Sequence, residues 1–88
     1  MPTISMFYGI IIRMYFAPKE HNPPHFHVYY NEHKISFDIN TMDFTNGDLP
    51  VKQRKLVHAW AELHKEELLA DWTLAMNGET VYKIAPLT

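Results

Sequence analysis

The sequence predicts an α+β domain: an antiparallel β-meander of three to four strands with one face covered by a long or kinked C-terminal helix. Three observations predict it. The first half alternates apolar and polar residues between Pro-rich and Asn/Gly-containing turns. The second half has neither proline nor glycine from residue 51 to residue 77. Of 88 residues, 47% are hydrophobic and 14% aromatic, enough for a packed core in a single domain, 1–88. Cysteine is absent, which excludes disulfide staples, a thiolate nucleophile and Cys-ligated zinc, and fits a reducing cytoplasm. A small chain without staples commonly gains stability from a protein partner or from homo-oligomerisation.

The apolar opening, "MPTISMFYGIII", lacks a basic n-region and is interrupted by Gly9 and Arg13, so neither a signal peptide nor a membrane span is expected. "FYGIIIRMYF" (7–16) is dense in β-branched and aromatic residues and reads as one largely buried strand. Three prolines in the segment "APKEHNPP" make it a loop. "HFHVYY" and "KISFDI" alternate as strands about the turn "NEH", and "TMDFT" (41–45) is a short fourth strand closed by "NGD". Residues 1–46 are therefore the meander.

Residues 50–77 form the helical segment, with Pro50 suited to its first position. Leu56, Val57, Trp60 and Leu63 make one apolar stripe. Leu68, Leu69, Trp72, Ala75 and Met76 make another, rotated by roughly a quarter turn at ~100° per residue. A bend near His64 and Lys65 is favoured over one continuous helix. Asn77-Gly78 supplies the C-cap, and the tail, 80–88, either adds an edge strand or lies against the core.

Strand parity locates the histidines. A shared core face for Phe26 and Val28 with Ile35, Phe37 and Ile39 requires a two- or four-residue turn. With Glu32-His33 at the turn, His27 faces Asp38; with Asn31-Glu32, His25 does. Either register puts His25, His27, Tyr29, Ser36 and Asp38 on one polar sheet face. His25, His27 and Asp38, with His21 in the approaching loop, could ligate a divalent metal such as zinc. The favoured alternative is solvated or hydrogen-bonded imidazoles that shape the loop or stack on Tyr15 and Tyr29. As a catalytic set, His25 and His27 would be acid–base groups oriented by Asp38, with Arg13 stabilising an oxyanion or phosphate. A structural ion pair is the favoured role for Arg13.

No nucleophile motif, Gly-rich phosphate loop or HExxH helix is present, and no cofactor other than a metal is implied. Lys52, Arg54 and Lys55 cluster in the first turns of the helix, where they could contact nucleic acid or another anion. The formal charge of −2 and the acidic run Glu62, Glu66, Glu67, Asp71 argue against a continuous basic face. An ordinary solvated turn is the favoured reading there. Trp60 and Trp72 are expected in the core.

Taken together, "MPTISMFYGIIIRMYF", "HNPPHFHVYY", "FDINT", the "LP" before "AELHKEELLADW" and a terminal "KIAPL" resemble the small bacterial proteins of domain-of-unknown-function family 4160. The likeness covers nearly the whole chain, and that family's H-x-x-P-H-x-H stretch maps onto His21, Pro24, His25 and His27. The resemblance implies a bacterial cytoplasmic protein whose relatives often sit beside another small reading frame, as in toxin–antitoxin pairs. The expected function is a binding or regulatory component of such a two-gene module, using the His-rich face. The alternative is a small metal- or histidine-dependent hydrolase acting on a phosphodiester such as RNA. A third reading is a dimeric DNA binder using the basic turn.

Overall fold

The computed structural model describes residues 2–17 and 22–88. Five strands form one antiparallel sheet in sequential order: β1 (Thr3–Phe7), β2 (Ile10–Arg13), β3 (His25–Tyr30), β4 (His33–Asp38) and β5 (Asp43–Thr45). Two helices follow, α1 (Val51–Leu63) and α2 (Lys65–Met76). The α+β meander is thus as expected, with one strand more and the helical segment divided.

The extra strand corrects the single strand expected over 7–16. Tyr8 and Gly9, at φ 50° and 77°, form a two-residue turn that pairs Phe7 with Ile10. Both residues being left-handed suits the right-handed twist of a hairpin. Tyrosine rarely adopts this conformation, so only Gly9 marked the turn in the sequence. The register of β1 against β2 shifts between Thr3 and Ser5, and Ile4 and Ser5 are both buried there. Beyond Arg13 the chain leaves the ladder, although the Met14 N–H still donates to the Pro2 carbonyl at 3.2 Å.

Between β3 and β4 the turn is Asn31-Glu32, with Asn31 at φ 51°. This selects the second of the two registers: His25 faces Asp38, Phe26 faces Phe37 and His27 faces Ser36. Phe26, Val28, Ile35 and Phe37 are buried on one side, and the histidines take the other.

His64, at φ −119° and ψ 22°, separates the two helices, so the segment is bent where expected. The break lets part of each apolar stripe reach the core, Val57 and Trp60 from α1 with Ala61 beside them, and Leu68, Trp72 and Ala75 from α2; Leu63, expected in the first stripe, is instead 71% exposed. The two tryptophans are core residues, as the sequence implies. The tail makes no strand. It lies against the core, where Ile84 is buried and its N–H donates to the Ile4 carbonyl at 2.8 Å. The Trp60 Nε1–H donates to the Ala85 carbonyl at 2.8 Å. No helix among the described residues is long and apolar enough to cross a membrane.

Asp71 belongs to the acidic run but is only 2% exposed. One carboxylate oxygen accepts the Tyr82 N–H at 2.9 Å, and the other has no partner among the described residues. Burial pushes this carboxyl above its usual range, with the nearby Glu67 charge adding to the shift and the Tyr82 N–H opposing it. The folded state therefore holds the proton more tightly than the unfolded chain does. Stability from this group is full at acid pH and falls as pH rises through the raised value. Asp71→Asn keeps the acceptor for Tyr82 and removes the buried charge. At neutral pH it is expected to be more stable than the parent by on the order of 1 kcal/mol. Urea unfolding at several pH values should show that gap closing on acidification; a gap independent of pH would contradict it.

Candidate functional site

The outer face of the sheet is built by the parity of β2, β3 and β4. Arg13 is the direct cross-strand partner of His27, which in turn faces Ser36; His25 faces Asp38. An open hollow of about 430 Å³ sits over the β3–β4–β5 end of this face. His25, His27, Ser36, Asp38 and Thr45 line it, with Asn22 and Pro23 closing one side. The structure thus brings together His25, His27 and Asp38, and sets Arg13 one strand away.

Local contacts fix most of these side chains. Asp38 turns one carboxylate oxygen toward the backbone N–H groups of Asn40 and Thr41, at 2.8 and 3.0 Å, capping the turn that leads to β5. His25 Nδ1 lies 2.9 Å from the Pro23 carbonyl, and the His25 ring tilts onto Trp72 with centroids 5.0 Å apart. Trp72 donates its own Nε1–H to Asn22 Oδ1 at 3.0 Å. A residue of the helical core therefore positions His25 and Asn22. His27 meets Tyr15 edge-on at 4.9 Å, and its Nδ1 is 3.5 Å from the Ser36 hydroxyl, at the long limit for a hydrogen bond.

Among the described residues no acid makes the ion pair expected of Arg13. Its guanidinium lies over the Tyr29 ring, 5.0 Å from the centroid, and its Nε is buried with no hydrogen-bond partner among the described residues. Lys34 approaches the same ring at 5.6 Å. The Tyr15 and Tyr29 hydroxyls are 2.5 Å apart. Burial and the bond to Tyr15 outweigh Arg13 and push Tyr29 up to about 12. Tyr29 is thus a neutral hydrogen-bonding group at physiological pH and not a base. With the folded value above the ordinary one, its contribution to stability is complete below about pH 10 and lost as pH rises toward 12. Spectrophotometric titration is expected to show one late tyrosine, which Tyr15→Phe moves to lower pH. Titration of all tyrosines near 10 would contradict the pairing.

The structure does not gather a metal set from the described residues: no group of three or more His, Asp or Glu there could hold an ion. Asp38 is engaged with its own turn, and His21, the remaining proposed ligand, lies outside the described residues. Lys52, Arg54 and Lys55 are exposed. Arg54 and Lys55 border a separate hollow with Phe44, Val51 and His58 that shares no lining residue with the histidine hollow. His58 and His64 do not converge either; His64 Nδ1 pairs with Glu67 at 2.6 Å.

Sequence reasoning placed His25, His27, Ser36, Asp38 and Tyr29 on one face and foresaw the contact with Tyr15. It missed Trp72 and Asn22 behind His25, and Thr45 beside the hollow. No local signal marks these; the hairpin parity of β4 and β5 would have supplied only Thr45, which faces Ser36.

Neither a curated protein nor a solved structure matches the chain. A family does: residues 9–73, which span β2 through Thr73 of α2 and include the whole histidine face, match the family described as Domain of unknown function (DUF4160). The chain belongs to that family.

Proposed function

We propose that the outer sheet face is a recognition surface for a macromolecular partner, and that the chain is the binding or regulatory component of a two-gene, toxin–antitoxin-like module acting in the cytoplasm. One observation carries this reading: Arg13 stands across from His27 with its guanidinium over the Tyr29 ring, and its buried Nε meets no acceptor among the described residues. A buried donor without an acceptor is costly in isolation, and a carbonyl or carboxylate brought by a partner relieves that cost. Arg and Tyr packed together are among the residue types that dominate binding energy at protein interfaces. The engaged state of Asp38 and the neutrality of Tyr29 favour recognition over proton transfer.

Co-expression of the chain with the product of its adjacent reading frame tests this. The partner is expected to co-purify with the parent chain and to be lost from an Arg13→Ala/His27→Ala variant that keeps its circular dichroism. Equal capture by both forms would sink the proposal.

A second reading, a histidine-dependent hydrolase on a phosphodiester such as RNA, draws on the same Arg13–His27 pairing, since an arginine beside an imidazole suits an anionic transition state. Cleavage of RNA by the purified chain, with or without added divalent metal and abolished by His27→Ala, would replace the first reading. Intact RNA removes the second.

A further inference from the structure

Helix α1 carries its charges the wrong way round. Lys52, Arg54 and Lys55 stand in its first turns, which contain no acid, and Glu62 ends it with no base in the last turn. Both ends oppose the helix dipole, which favours anions at the N-terminus and cations at the C-terminus. Among the described residues no salt bridge compensates either end; the single one there joins His64 to Glu67. Pro50 precedes the helix without a side-chain cap, so its first N–H groups have no capping acceptor.

The exposed side of α1 shows what would answer this. Gln53, Val57, Trp60 and Ala61 face the core. At ~100° per residue the opposite side is centred on Val51, Lys55, Ala59 and Glu62, all exposed. Beside the basic end lies an open hollow of about 400 Å³, floored by Phe44, Val51 and Ala59 and rimmed by Arg54, Lys55 and His58. At the acidic end Leu63 is 71% exposed, and around it Glu62, Glu66 and Glu67 outnumber the one cation, Lys65. One end is an apolar hollow with a cationic rim, and the other is an apolar projection with an anionic rim.

We propose that this face binds a second copy of the chain, with the two α1 helices antiparallel and crossing near the small Ala59. Lys55 and Glu62 are equidistant from a centre between His58 and Ala59. A two-fold axis there sets Lys55 of each copy against Glu62 of the other, twice. The same arrangement opposes the two helix dipoles and offers each uncapped N-terminus a cluster of carboxylates. This surface lies apart from the outer sheet face, so it stands independently of the partner proposed above.

Light scattering behind size exclusion on the full chain tests it. At low salt the mass is expected at twice 10.4 kDa, shifting toward one chain as salt rises. Arg54→Glu/Lys55→Glu and Glu62→Lys/Glu66→Lys, all at exposed positions, are each expected to weaken association at least ~10-fold. An equimolar mixture of the two variants restores complementary ends and is expected to recover the dimer. A parent chain that is monomeric at every salt concentration overturns the proposal. So does a dimer that both variants retain, or a mixture that stays monomeric although each variant is folded.

Discussion

Trp60→Ala is expected to leave most of the chain unfolded at room temperature. Trp60 is fully buried and joins α1 to the sheet and to the tail. Its ring packs on Phe7 of β1 at 5.4 Å and on Phe26 of β3 at 5.6 Å, and its Nε1–H fastens the tail through Ala85. Truncating a buried tryptophan removes the transfer free energy of the ring and leaves a cavity, together about 3–5 kcal/mol. The whole stability of a small domain is about 5–15 kcal/mol, and this chain lies at the small end of the size range. Loss of the indole also strands the Ala85 carbonyl. Trp60→Phe separates the contributions: it refills most of the cavity but makes no hydrogen bond, and is expected to cost about half as much. Urea unfolding followed by far-ultraviolet circular dichroism gives both values. A Trp60→Ala protein within 1 kcal/mol of the parent, an order-of-magnitude threshold, would mean that α1 does not sit on the sheet as described.

Gly47→Ala is expected to be the next most damaging change, for a reason of backbone and not of packing. Gly47 has φ 126°, where side chains are strongly disfavoured, and a Cβ there would come within 2.6 Å of the Lys34 carbonyl. That oxygen belongs to β4 and cannot swing away as a flexible side chain would. Conformational strain and the clash together are expected to cost about 3 kcal/mol. Either the substitution is absorbed as lost stability or the chain beyond β5 shifts. A shift would open the hollow at Thr45 and Asn46, which line its edge. Gly78→Ala is the control, because Gly78 has φ 70° with nothing within 4 Å of the added carbon. Its cost is expected near 1 kcal/mol, the left-handed penalty alone. Thermal melts of the two variants should rank them in that order; equal melting temperatures would contradict the close approach of Gly47 to β4.

What could be read from the sequence divides along physical lines. Parity between Phe26/Val28 and Ile35/Phe37 sufficed to place the histidines opposite the core, because a one-residue slip would have buried them. It left two registers, and the difference between them is a local preference: Asn31 tolerates φ 51°, so the turn starts there. The bend at His64 was visible as a rotation between two apolar stripes. The β1–β2 hairpin was hidden by Tyr8, whose positive φ carries no sequence signature, and the run Ile10–Ile11–Ile12 looks the same in a long strand as in a short one. Arg13 was expected to find an acid because charged groups near a buried layer usually do; among the described residues it meets none and lies on Tyr29, a contact that sequence separation does not announce. Trp72 was read as core from its helical stripe. Its second contact, with His25, comes with the hydrogen bond its Nε1–H gives to Asn22, a pairing 50 residues apart in the chain that no local pattern marks.

The central claim is that the outer face around Arg13, Tyr15, His27 and Tyr29 meets a partner. Chemical-shift mapping tests it most directly: the isotope-labelled chain is titrated with the partner that the co-expression proposed above recovers, and its backbone amides are followed. The expected result is perturbation centred on Arg13, His27, Tyr29 and Ser36, with the exposed side of α1 unchanged. Perturbation confined to α1 and α2, with the outer sheet face silent, would contradict the account.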